Sequence, residues 1–176
     1  MKKKTKSPGL LWITGLSGSG KTTISKIIYN NLKKKYTNII LFDGDILRKK
    51  LKIKNLKTFS NDYRTKIGLK YVSICNNKIK NNRKFVIIAA MALIKKVENK
   101  YKKIKNCNDV FIDVPIKELI RRDPKGLYKK FKKKQIFNMA GLDLDYHKPK
   151  NAKLVIKWKK KMTAYSISKQ ILKLIE

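Results

Sequence analysis

Eight residues near the amino terminus, Gly15-Leu16-Ser17-Gly18-Ser19-Gly20-Lys21-Thr22, follow the pattern G-x-x-x-x-G-K-[ST]. This is the spacing with which a loop wraps backbone N–H groups around phosphate oxygens. Gly15, Gly18 and Gly20 leave room for those N–H groups to converge, and the start of a following helix adds a partial positive charge. In that setting Lys21 reaches the β- and γ-phosphates of ATP and the Thr22 hydroxyl ligates Mg²⁺. Ser17, Ser19 and Thr23 join the same ATP-binding set. The alternative, an ordinary glycine-rich turn, is disfavoured by the flanks, an apolar run before the loop and helical periodicity after it.

A second group follows at Asp43-Gly44-Asp45-Ile46-Leu47-Arg48. A carboxylate placed here can orient or deprotonate an attacking hydroxyl and help hold Mg²⁺, while an arginine clamps an anionic acceptor. Asp43 and Asp45 are the two carboxylates at this strand end, and Arg48 is the guanidinium. The chain has no Asn-Lys-x-Asp sequence for reading guanine, and 176 residues leave no room for the extra domains of most motor ATPases. The two groups together point to a kinase that moves the γ-phosphate of ATP onto a hydroxyl of a small anionic substrate. A helix-capping Asp with a surface salt bridge is the plainer alternative.

The elements that must position these residues alternate. Leu10 to Thr14 reads as a strand, and Ile24, Ile27, Ile28 and Leu32 recur at helical spacing after the loop. Ile39 to Phe42 reads as a second strand, and Tyr63, Ile67, Tyr71 and Ile74 form one face of a helix within about 61–80. Phe85 to Ala92, Val110 to Val114 and Leu154 to Trp158 supply three more strands, and Ile167, Ile171, Leu174 and Ile175 the buried stripe of a closing helix. Apolar strands alternating with helices predict an α/β, three-layer P-loop sandwich on a parallel sheet of about five strands, with ligands beyond the strands' carboxyl ends. Residues 124–150 break the rhythm with Pro124, Gly126, Gly141 and Pro149 and are expected to form an irregular, mobile lid. One domain spans 1–176 in this reading.

The chain carries 46 Lys and Arg against 11 Asp and Glu, a formal charge of +35. Lysine is spread over every segment, and stretches such as Lys132-Lys133-Lys134 lack interleaved stacking aromatics, which argues against a nucleic-acid groove. A nucleotide-gated nucleic-acid-binding module stands as the reading of another class. No apolar run is long enough to cross a bilayer, and Cys75 and Cys107 lack the spacing of a metal site or the number of a disulfide framework. A cytoplasmic protein with buried free thiols is expected. His147, the only histidine, is expected at the surface, and Trp12 and Trp158 in the core.

Several motifs, taken together, resemble adenylylsulfate kinases. They are Gly15 to Thr23, Phe42-Asp43-Gly44-Asp45-x-x-Arg48, Phe59-Ser60 with Arg64, Arg122-Asp123-Pro124-Lys125-Gly126-Leu127-Tyr128, Asn138-x-x-Gly141-Leu142-Asp143 and Tyr146-x-x-Pro149. The resemblance implies phosphorylation of the ribose 3′-hydroxyl of adenylyl sulfate by MgATP, in a homodimer. It implies that Asp45 is the base or hydroxyl-orienting group, that Asp43 supports the metal or the acceptor, that Arg48 and Arg64 hold the acceptor's phosphosulfate and that Phe59 stacks on its base. Lys125 and Tyr128 then lie in the closing segment, and Arg122 near ATP's adenine. Three departures concern the acceptor: Tyr63 and Ile67 replace an acid and an asparagine, Ala90-Met91-Ala92-Leu93 replaces Ile-Ser-Pro-Tyr, and Met139 replaces an aromatic that would pack on the base. A kinase of the same family with another nucleotide acceptor, such as cytidine diphosphoramidate in surface-polysaccharide synthesis, is therefore the alternative.

Overall fold

The computed structural model describes residues 3–51 and 60–175. In chain order the elements are β1 (Gly9–Thr14), α1 (Lys21–Lys35), β2 (Ile39–Asp43), α2 (Gly44–Lys50), α3 (Asn61–Lys80), β3 (Phe85–Ala89), α4 (Lys95–Tyr101), β4 (Cys107–Asp113), α5 (Ile116–Arg122), α6 (Leu127–Lys132), β5 (Leu154–Lys157) and α7 (Ala164–Ile175). The strands form one five-stranded sheet in the order β2-β3-β1-β4-β5, and every pairing is parallel.

Alternate residues of β1 and β3 face opposite sides of this sheet, as the pleat requires. Leu11, Ile13 and Ile87 join a core with Ile24 and Ile28 of α1 and Ile171 of α7. Leu10, Trp12, Val86 and Ile88 join a second core with Ile67 and Val72 of α3 and Val97 of α4. Helices thus cover both faces, and the strands are buried on both, which is why they read as continuous apolar runs. Trp12 is fully buried and stacks on Tyr101 with ring centroids 4.5 Å apart, whereas Trp158 is partly buried. Both cysteines are free and buried. Among the described residues, no helix is long and apolar enough to cross a membrane.

Several elements differ from expectation. β3 ends at Ala89, because Ala90 to Ile94 carry the chain across the sheet's end before α4, and β4 begins at Cys107, three residues earlier than its apolar run. The segment expected to be irregular holds the short helix α6. Asp123 starts it, its carboxylate accepting the N–H groups of Tyr128 at 3.2 Å and Lys129 at 2.9 Å. The Pro and Gly that look like breakers therefore stand at a helix start, where neither interrupts a helical bond. His147 is not a free surface side chain: its Nε2 pairs with Glu98, a residue only 2% exposed.

Candidate active site

The loop after β1 ends at Gly20, which adopts φ 90° and ψ 4° as the N-cap of α1. Only glycine takes this left-handed conformation without strain, and it turns the chain so that α1 starts at the mouth of the loop. The Lys21 ammonium donates back to the Leu16 carbonyl at 2.8 Å and the Ser19 hydroxyl at 3.4 Å, lying across its own loop. Burial, with the neighbouring charge of Lys125 and then Arg48 acting against Asp43, brings its pKa down to about 7. A cation so poorly compensated marks a place suited to negative charge.

Asp43 closes β2 at the same sheet edge. Its Oδ1 accepts the N–H groups of Asp45 at 2.8 Å and Ile46 at 3.3 Å, capping α2. Its Oδ2 accepts the Thr22 hydroxyl at 2.7 Å. The phosphate-type loop and the acidic pair therefore face one cleft. A hydroxyl and a carboxylate are the hard oxygen donors that Mg²⁺ takes alongside waters and phosphates, so Thr22 and Asp43 fit that ion. Asp45 pairs with two cations, Arg48 one turn along α2 and Lys125 from the segment between α5 and α6. Burial lowers the pKa of Lys125, with Arg48 adding to the shift and Asp43 opposing it.

Arg64 enters from α3 and donates to the Asn138 carbonyl. Its pKa falls to about 10 through burial and the nearby charge of Arg48, against Asp143. Two guanidiniums in each other's field make a second region suited to an anion. The Tyr128 hydroxyl donates to the Ser17 carbonyl at 3.0 Å, fastening α6 to the loop, and burial pushes its pKa up to about 12. Arg122 pairs with Glu118 at 2.7 Å and lies 5.3 Å over the Trp158 ring. Thr23 is exposed on the first turn of α1. Met139 is only 8% exposed and belongs to the core, so its side chain does not line the open cleft. Phe59 lies outside the described residues.

The structure adds groups that the sequence did not single out for the site. The Tyr71 hydroxyl, on the buried face of α3, donates to the Gly44 carbonyl at 2.8 Å, between the two aspartates. A tyrosine on an apolar stripe is the available signal, since a buried phenol needs a partner. Asp143 accepts the N–H groups of Asn138 at 2.9 Å and Met139 at 2.5 Å, shaping the loop that Arg64 grips. Glu98, in turn, is held below the usual carboxylate range: burial would raise it, but hydrogen bonds from Lys102 and His147 outweigh that.

A parallel sheet with a phosphate-type loop after its central strand, opposite an acid-and-arginine cluster, defines a P-loop kinase, an ATP-dependent phosphotransferase. Residues 7–157 match the adenylylsulphate kinase family, and the chain belongs to that family. It is 38% identical over 152 residues to the cytidine diphosphoramidate kinase of Campylobacter jejuni, covering 85% of this chain and 86% of that protein. It is 32% identical over 156 residues to the adenylyl-sulfate kinase of Pseudomonas aeruginosa, covering 87% and 78%. The APS kinase of Mycobacterium tuberculosis in complex with AMPPNP and APS superposes with a TM-score of 0.85 at 26% identity, covering 96% of this chain and 98% of that one. These likenesses lend no support to the nucleic-acid-binding alternative.

Proposed function

We propose that the chain transfers the γ-phosphoryl group of MgATP to a ribose hydroxyl of a nucleotide, with cytidine diphosphoramidate as the acceptor. The observation that carries the reaction is the 2.7 Å hydrogen bond from Thr22 to Asp43, which joins the donor loop to the acidic end of β2. In this reading the loop's N–H groups and Lys21 hold the donor phosphates. Thr22 directly and Asp43 through water hold Mg²⁺, which neutralises phosphate charge when bound. Asp45 accepts the proton of the attacking ribose 3′-hydroxyl as its oxygen bonds to the γ-phosphorus and the bond to the β-phosphate oxygen breaks, leaving ADP. Lys125 and Arg48, already on Asp45, hold that carboxylate in place until the acceptor arrives and then offer their charge to phosphate oxygens. Arg64 and Arg48 hold the acceptor's diphosphate-like group.

Support for cytidine diphosphoramidate comes from two directions. Identity to the Campylobacter jejuni kinase, 38%, exceeds the 32% to the Pseudomonas aeruginosa adenylyl-sulfate kinase. The family's positions at Tyr63, Ile67 and Ala90 to Leu93 are altered, and Met91 and Leu93 line a pocket with Arg64. Adenylyl sulfate is the second reading, favoured by the 0.85 TM-score to the complex whose ligands are AMPPNP and APS. An ADP-release assay with each acceptor separates them. The account expects kcat/KM for cytidine diphosphoramidate to exceed that for adenylyl sulfate by at least about tenfold, and Asp45→Asn to cost about 100-fold or more in kcat. The reverse preference would replace the acceptor, and no stimulation by any nucleotide would remove the kinase reading.

A further inference from the structure

Glu98 of α4 is a buried acid, 2% exposed, that the phosphoryl transfer does not use. Three side chains converge on it: Lys102 at 2.7 Å, Lys95 at 3.5 Å and the Nε2 of His147. Burial would raise its pKa, but hydrogen bonds from Lys102 and His147 keep it below the usual carboxylate range, so the group is ionised and only accepts. The proton of the bond to His147 therefore sits on Nε2. The chain beyond His147 is held to the same wall of the molecule. Lys102 donates to the Asn151 carbonyl at 2.9 Å, and Asp109 of β4 accepts the Lys153 N–H at 3.0 Å.

His147 makes a second bond, from its backbone. Its N–H donates to the Leu93 carbonyl at 2.9 Å, and Leu93, Ile94 and Tyr146, the residue before His147, line a small pocket with Arg64. One bond would leave the loop that carries Tyr146 free to pivot on Leu93, whereas two bonds from one residue fix its orientation. Neither Glu98 nor His147 is among the described residues that line the pocket, so both act from behind its wall. We propose that Glu98, acting through the His147 side chain, is a positioning residue for acceptor binding, locking Tyr146 and Leu93 as walls of the pocket in which Arg64 receives the acceptor. The proposal rests on the reading that a nucleotide acceptor binds at Arg64.

The test is steady-state kinetics on whichever nucleotide the unmodified enzyme phosphorylates, with His147→Ala, His147→Asn, His147→Gln, Glu98→Met and the double variant Glu98→Met with His147→Ala. A glutamine amide nitrogen reaches the place of Nε2, while that of asparagine falls short of it. His147→Ala and His147→Asn raise the acceptor KM about tenfold, the scale of a hydrogen bond to a charged group, and leave kcat and the ATP KM within about twofold. His147→Gln brings the acceptor KM back to within about twofold of the unmodified enzyme. In the Glu98→Met background, His147→Ala raises it by no more than a further factor of about two, because the two residues act as one. A lowered melting temperature with an unmoved acceptor KM would reduce the pair to a structural tie and overturn the proposal. Independent effects at the two positions would overturn it as well, since His147 would then act on the acceptor itself. Either result leaves the kinase reading standing; if no nucleotide is turned over, that reading falls and the proposal with it.

Discussion

Burial and Lys125 bring the Lys21 pKa down to about 7, and Asp43 opposes them. Donor phosphates supply the missing negative charge, so binding raises its pKa and protonates it wherever the unliganded enzyme has it partly neutral. The sign follows from the free value of about 7. Below that pH Lys21 is already charged and takes up nothing; above it, ATP binding takes up a proton and affinity falls as pH rises, until the raised value in the complex is passed. Calorimetry at pH 8 in two buffers of different ionisation enthalpy should show uptake approaching one proton per ATP, absent at pH 6. Lys21→Arg, always charged, should lose that uptake. Equal uptake in the variant would assign the proton elsewhere. At this scale the sequence was most informative about placement, since its motifs bring Lys21, Thr22 and Asp43 to one cleft. It was least informative for Met139, whose outward or inward direction depends on the φ of Asn138 and on nothing in its own identity.

At the scale of elements, α2 carries Asp45 and Arg48, and three groups fix how it leaves the sheet. Asp43 caps its first turn, Tyr71 grips the Gly44 carbonyl, and Gly44 itself sits so close to the chain leaving β3 that an added Cβ would lie 3.1 Å from the Ala90 Cβ. Burial raises the Tyr71 pKa to about 12, so its hydroxyl stays a donor across the working pH range. A single such bond contributes about 1 kcal/mol. If it positions Asp45, Tyr71→Phe lowers kcat roughly fivefold while the ATP KM holds, by the same conversion of about 1 kcal/mol. Lost thermal stability with unchanged kcat would reduce the hydroxyl to a core hydrogen bond. The strands and the long helices α1, α3 and α7 were readable because apolar spacing alone specifies them. By contrast, α2 and α6 were not, since each opens on Asp, Gly or Pro, residues that mark a turn as readily as a helix start, and only the capping bonds decide.

Over the whole molecule, a charge of +35 would ordinarily direct attention to polyanions. The few acids say more, because they gather where cations must be arranged. Asp43 and Asp45 order Lys125, Arg48 and the loop at the cleft, while Glu98 and Asp109 hold Lys102, and Glu98 also His147. His147 also donates its N–H to the Leu93 carbonyl at 2.9 Å, so the end of the 124–150 segment is joined to the wall of the pocket that Arg64 lines. One end of the segment thus reaches Asp45 through Lys125, and the other reaches Leu93, beside Arg64, through His147. This is the arrangement by which a closing segment can bring a donor phosphate and an acceptor hydroxyl together.

The most direct measurement of that claim is a crystal structure of the enzyme with a non-hydrolysable ATP analogue, Mg²⁺ and cytidine diphosphoramidate. The account predicts the ribose hydroxyl within hydrogen-bond distance of Asp45 and in line with the γ-phosphate, Lys21 on the β- and γ-phosphates, and Lys125 drawn from Asp45 to phosphate oxygen. An acceptor bound with its hydroxyls turned from Asp45, or a cleft in which Asp45 remains closed off by Lys125, would contradict it.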